Sequence, residues 1–278
     1  MIAIVAALLG VTTSGCTPVL GADRLWQPTT RWVIVGEMHG TNETPDAFAN
    51  LICLAAATGR PVTVVLEYSG DGQSVIDTYL ASDGSAQARS ALLALPLWNA
   101  EMQDGRGSVA LLRLWDQLRR MKQAGKIKGV VASDVGSSTP PGQERDAWMA
   151  KAWTAIPAPD HGVILALVGN VHAMRKPMAF LGRTIITAGS LMPAKRTITV
   201  NVVGSGGKAW NCQDDGCIEH DNGPPRQVRT GITYSKDEDR GWDAFYELGI
   251  PTTAAAPAIA SKAPLSRPTD GRSNGSNR

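Results

Sequence analysis

The chain has 278 residues, with 27 Lys and Arg against 25 Asp and Glu, for a formal net charge of +2. Hydrophobic residues make up 43% of it, which excludes a mostly disordered chain and supplies a core for one α/β domain of ordinary size. The charge balance gives no electrostatic reason to expect nucleic acid as a partner. In chain order, residues 1–15 come first, an apolar run followed by small residues. The run has the length of a secretory signal and is too short to span a bilayer, which takes roughly 20 apolar residues. Ser14-Gly15-Cys16 resembles the end of a lipoprotein signal, although Thr13 stands where Leu is usual and no Lys or Arg precedes the run. Residues 1–22 are therefore read as an export segment. The expected location is the bacterial envelope, in the periplasm or on the outer membrane, with membrane attachment only through a lipid on Cys16.

From residue 31 onward, apolar strand-like runs alternate with helical patterns. The strand runs are 31–35, 62–66, 128–132 and 162–168, with further strands at 185–187 and 197–203. The helices are 45–58, 72–81, 87–95, 108–124 and 143–156. In the first, Phe48, Leu51, Ile52 and Ala55 share a face, Thr44 suits the N-cap, Pro45 the first helical position and Gly59 the stop. Such alternation predicts a mostly parallel central sheet with helices on both faces, occupying 23–251 as one domain. Beyond it, 252–278 is rich in Ala, Pro and Ser and carries Lys262, Arg267, Arg272 and Arg278 against Asp270. That composition reads as a flexible tail. Export implies oxidised cysteines. Cys212 and Cys217 bracket a polar turn and read as a small loop disulfide, with a partial zinc site including His220 as the lesser reading. Cys53 lies in a helical pattern and reads as a small buried hydrophobe. Residues 204–208 look like a phosphate loop but fail its spacing, because Val202 stands where the first Gly is needed and Ala209 where Ser or Thr is needed.

Several strands run directly into compact polar clusters: Gly36-Glu37-Met38-His39-Gly40, Glu67-Tyr68-Ser69, Ser133-Asp134 and Gly169-Asn170-Val171-His172. In a parallel sheet all carboxyl ends lie at one edge, where open α/β sheets bind ligands. Residues far apart in sequence are thereby brought into one crevice. Glu37, His39, Glu67 and His172 are the core candidates, with Asn170, Tyr68 and Asp134 as ligand-binding candidates. Arg145 begins the helix after the third strand. It is placed to bind an anionic substrate group, an oxyanion or a carboxylate of the site.

These residues resemble a family. Gly36–Gly40, Glu67, Arg145-Asp146-x-x-Met149-Ala150 and Gly169–Ala173 occur in an order similar to that of the ChaN-like haem-binding and Tiki superfamily, whose relatives include the erythromycin esterases and a toxin domain. The resemblance spans about residues 31–203. It implies an α/β sandwich with its site at the carboxyl edge, built on Glu37, His39, Glu67, Arg145 and His172. Esterase-type relatives activate water with such residues, Tiki-type relatives look like metal-dependent proteases, and ChaN-type relatives are envelope lipoproteins that bind haem.

Two chemistries follow. In a hydrolase acting on a small-molecule or peptide substrate, His39 or His172 serves as general base on a water, an imidazole pKa of about 6.5 being suited to the task. Glu37 and Glu67 then orient the imidazoles, or Glu37, His39 and His172 bind a divalent metal. Arg145 and the Asn170 amide stabilise an oxyanion. In a haem-binding protein, Tyr68, His39 or His172 supplies an axial ligand, and Met38, Met174 and Met178 an apolar wall.

Overall fold

The structure is a computed structural model that describes residues 15–260, apart from 143, 158, 160, 181 and 238–240. The apolar run 1–14 and the stretch 261–278 lie outside the described residues, so the export segment and most of the expected tail do too. The elements in chain order are β1 (Trp32–Glu37), α1 (Glu43–Ala57), β2 (Val62–Ser69), α2 (Gln73–Ala81), α3 (Ala86–Leu93), α4 (Val109–Gln123), β3 (Gly129–Asp134), α5 (Arg145–Ala155), β4 (Val163–Gly169), β5 (Met178–Phe180), β6 (Arg183–Ile185), β7 (Thr197–Val203), β8 (Lys208–Gln213), β9 (Gly216–Asp221), β10 (Gly231–Tyr234) and β11 (Ala244–Glu247).

Seven strands form one sheet in the order β10-β11-β7-β1-β4-β2-β3, and within it only β10 runs antiparallel to its neighbour. Strands buried on both faces explain the continuous apolar runs. Alternate side chains serve two cores, with Val33, Val35, Val64 and Leu165 facing α1, α2, α3 and α4. Trp32, Ile34, Val65 and Ala166 face Met149 and Trp153 of α5. Trp153 fixes α5 to the sheet by donating its indole N–H to Ser133 Oγ at 2.9 Å. Both faces are covered, four helices on one and one on the other.

The first helix starts at Glu43, two residues before the expected first helical position, which places Thr44 and Pro45 inside its first turn. Proline is tolerated there because first-turn N–H groups have no intrahelical partner. The cysteines correct two expectations. Cys16 and Cys53 form a disulfide with their Cα atoms 5.6 Å apart, so Cys53 is not a free packed thiol. A thioether-linked lipid needs the same sulfur, so Cys16 in this bond carries none. Cys212 and Cys217 form the expected loop disulfide, as directly opposed residues of the β8–β9 hairpin. Their thiolates are therefore not available to zinc.

The first residues of the expected tail are held against the body. Residues 252–258 run along the body as a strap, with isolated bridges from Thr252 to Gly207, from Ala254 to Thr41 and from Pro257 to Ser108. Backbone pairing holds this strap, and Thr252 and Ala255 are buried. Side-chain composition carries no signal for such pairing.

Candidate functional site

β1 and β4 lie side by side at the centre of the sheet with Glu37 opposite Gly169. Their carboxyl ends approach closely. A Cβ on Gly36 would lie 2.9 Å from Asn170 Cα, and one on Gly169 would lie 2.9 Å from His39 Nε2. The two turns that carry His39 and His172 therefore touch because each begins with a glycine. β2 delivers Glu67 and β3 delivers Asp134 to the same edge, and α5 opens with Arg145 and Asp146. Together they surround a cavity of about 250 Å³ lined by His39, Glu67, Arg145, Asn170 and His172.

Each polar group has a definite role. His39 Nδ1 lies 2.9 Å from Glu37 Oε1, while its Nε2 faces Glu67 Oε2 at 3.7 Å. Glu67 Oε2 accepts the Gly169 N–H at 2.6 Å, and its Oε1 accepts from Arg145 at 2.5 Å and from Arg106 at 3.1 Å. Arg145 also grips Asp134 through Nε at 2.7 Å and Nη2 at 2.6 Å. Arg145 thus binds two carboxylates of the site, one of the kinds of partner expected for it.

The second imidazole is fixed by elimination. Arg145 Nη1 lies 2.8 Å from His172 Nε2, and a guanidinium N–H can only donate. His172 Nε2 is therefore the acceptor and the ring is neutral, with its proton on Nδ1 and pointed at Asp146 Oδ1, 2.9 Å away. The same Asp146 oxygen accepts the Ala188 N–H at 2.7 Å. Both nitrogens of His172 are thus occupied, whereas His39 keeps Nε2 open to the cavity.

Electrostatics follow burial and pairing. Burial raises the Glu37 carboxyl pKa above the usual range, and Glu37 Oε2 is buried with no hydrogen-bond partner. Burial by itself would lower His39, but the charges of Glu67 and Glu37 more than offset it, and the imidazole is raised. Burial would raise Glu67, yet His39, Arg106 and Arg145 hold it down to about 2.

A stability prediction follows from Glu67, which is only 4% exposed. Its folded pKa lies below the ordinary value of 4.5. It therefore contributes stability that is complete above that value and is lost as pH falls towards 2, by roughly 3 kcal/mol. Glu37, with a raised pKa, acts in the opposite sense. Melting temperatures between pH 5 and 2 are expected to fall steeply in the wild type and less steeply in Glu67→Gln.

Three sequence expectations change. Tyr68 follows Glu67 on β2 and so points to the opposite face, where its ring packs against Trp98 and Trp115. Its hydroxyl donates to the Arg106 carbonyl at 2.8 Å, so it neither binds ligand nor serves as an axial group. Glu37, His39 and His172 do not fit a divalent metal, because His172 has no lone pair left and two guanidiniums occupy the neighbouring carboxylates. Among the described residues no other His, Cys, Asp and Glu group is arranged to hold one. Haem fits no better. The cavity is below the range of roughly 300–1,000 Å³ typical of ligand pockets, its walls are charged, and Met38, Met174 and Met178 do not line it. Conversely, Arg106 and Asp104 line the cavity from the loop between α3 and α4, Arg106 held by Asp104 at 2.8 Å. The sequence gives no periodic signal for them.

No family model matches the chain, and no curated protein matches it. Among solved structures, a mutant erythromycin esterase EreC in its open conformation aligns over 84% of this chain and 93% of its own, at 11% identity and a TM-score of 0.62. The fold is that of EreC. Two further likenesses are looser. ChaN of Campylobacter jejuni, with cofacial haem, aligns over 81% of this chain and 89% of its own at 10% identity and a TM-score of 0.45. A bacterial protein toxin aligns over 74% of this chain at 17% identity and a TM-score of 0.43, and this chain spans 39% of the toxin's length. The EreC-like sheet, built independently of close sequence likeness, places its carboxyl edge where the Glu/His cluster lies.

Proposed function

We propose that the protein is an exported hydrolase that activates water for cleavage of an ester or peptide-type bond in a small-molecule or peptide substrate. The observation that carries this reading is His39. It is the one site imidazole with an uncommitted nitrogen, its ring is oriented by Glu37 through Nδ1, and Nε2 opens onto the cavity. No Ser, Thr or Cys lines that cavity, so water is the nucleophile among the described residues. His39 Nε2 takes the proton of the water, and Glu37 stabilises the imidazolium that forms. The side-chain amide of Asn170, a residue that lines the cavity, donates to the oxyanion. Arg145, His172 and Asp146 keep Glu67 and the β4 turn in place. The esterase named in the EreC structure agrees with this chemistry. Two disulfides support an oxidising compartment.

A panel of activated acyl esters and peptides tests the proposal. Turnover is expected to survive chelator treatment. Because the base must be unprotonated and its pKa is raised, the acidic limb of kcat/KM is expected above the ordinary imidazole value of 6.5. Titration with haem is expected to give no Soret band. A tight Soret band lost in His39→Ala would overturn the hydrolase reading.

A further inference from the structure

The hairpin β8–β9 stands apart from the main sheet as a two-stranded unit. Such a hairpin alone is marginally stable in water, and most of its side chains are partly or fully exposed, Ala209 being the buried exception. Cys212 and Cys217 close it near its tip. Its first strand nonetheless reaches the site. Trp210 donates its backbone N–H to the Gly40 carbonyl at 2.8 Å, next to His39. Its indole N–H donates to the Gln103 carbonyl at 3.1 Å, next to Asp104. The fit between these turns leaves no room. A Cβ on Gly40 would lie 1.8 Å from the Trp210 carbonyl oxygen, and one on Gly105 would lie 2.3 Å from the Gly40 nitrogen. Both glycines have positive φ, 75° and 98°, so the turns require glycine on two counts. Trp210 therefore joins the turn that bears the base to the loop that bears Arg106.

We propose that the disulfide-closed hairpin regulates the site, with Trp210 as a positioning residue for His39 and Arg106, and that reduction of Cys212–Cys217 by a dithiol lowers turnover. The turnover part rests on the hydrolase reading, whereas the positioning part does not. In the redox step a reductant thiolate attacks one sulfur of the bridge and forms a mixed disulfide. Its second thiol then displaces the protein sulfur. The reductant leaves as its own disulfide, and Cys212 and Cys217 each end as thiols after gaining two electrons and two protons in all. Without the bridge the hairpin frays, Trp210 loses its two anchors, and the Asp104–Arg106 loop moves off Glu67. The other disulfide serves as a control, because Cys53 lies ten residues into α1, about 15 Å along the helix from its start beside the site.

The experiment compares wild type before and after dithiothreitol, Cys212→Ser/Cys217→Ser, Trp210→Phe and Cys16→Ser/Cys53→Ser, with thermal melting to confirm folding. Hydrogen exchange is read at the Trp210 and Ala255 amides, both of which donate to the Gly40 carbonyl at 2.8 Å. The His39 ring titration is read by NMR. The charged groups facing that ring are Glu37 from β1, Glu67 from β2, Asp104 and Arg106 from the loop, and Arg145 from α5. Loss of the hairpin bridge is expected to speed exchange at Trp210 by about tenfold or more. It is expected to raise the His39 midpoint, because the departing Arg106 cation bears on the ring more than the Asp104 carboxylate that leaves with it, while Glu37 and Glu67 stay, and to lower ester turnover by about tenfold. Trp210→Phe is expected to raise the midpoint as well, with less effect on exchange, since its backbone bond remains. Cys16→Ser/Cys53→Ser is expected to leave the exchange, the midpoint and the turnover unchanged. Unaltered exchange and an unaltered His39 midpoint in Cys212→Ser/Cys217→Ser would overturn the proposal, whatever the activity. If the wild type hydrolyses none of the substrates, those two readouts still decide it.

Discussion

Replacing His39 with alanine is expected to reduce kcat/KM for ester hydrolysis by about 10²- to 10⁴-fold, the range that a positioned general base contributes. Folding is expected to persist, since the imidazole lines the cavity and is not part of either apolar core. His172→Ala is expected to cost much less, about tenfold, because His172 only accepts from Arg145 and donates to Asp146. The two rings are similar in burial and separated by one glycine, so the contrast isolates their roles. Added imidazole is expected to restore part of the turnover of His39→Ala and none of that of His172→Ala. The reverse ranking would transfer the base to His172 and would require Arg145 to leave its nitrogen before each turnover.

Gly169→Ala is expected to be nearly as damaging, for a steric reason. The added methyl would stand 2.9 Å from His39 Nε2 and 3.5 Å from both Glu67 Oε2 and His172 Cδ2, so it occupies the space where the attacking water must sit. Glu67 cannot retreat, because it is bound by the Gly169 N–H itself. A loss of about 100-fold or more in kcat/KM is expected, with a stability cost of about 1–3 kcal/mol from overpacking. Gly129→Ala, at a strand position with nothing within 4 Å and no positive φ, is the matched control and is expected to be neutral in activity. Equal losses in the two variants would mean that Gly169 matters only for folding.

Much of this site was legible because it obeys one rule of sheets. Glu37, His39, Glu67, Asp134, Asn170 and His172 each follow an apolar run, and parallel strands deliver all such ends to one edge. Tyr68 shows the limit of adjacency as a guide. It neighbours Glu67 in sequence, but the period of two along β2 sends it to the other face, where it packs on Trp115 with ring centroids 5.2 Å apart. Asp104 and Arg106 were not legible, since the turn around Gly105 is placed by Gly40 and Trp210 rather than by any local preference. The Cys16–Cys53 bridge was hidden for a similar reason. Cys53 fits its helix equally well as an apolar residue, and pairing across 37 positions leaves no mark on spacing. β10 and β11 are four residues each and leave no clear run in the sequence; β11 is recruited by its register with β7, and β10 by its register with β11.

The strap at 252–258 has a consequence for how the cavity wall yields. The Thr252 amide bonds the Gly206 carbonyl and the Ala255 amide the Gly40 carbonyl, while the Ala256 and Ala258 backbones bond Val109 and Gly107. Three turns that are remote in sequence thus share one set of ties. Lifting the strap unloads all three, so the base turn, the arginine loop and the root of the hairpin are expected to open together, as one cooperative unit, on heating.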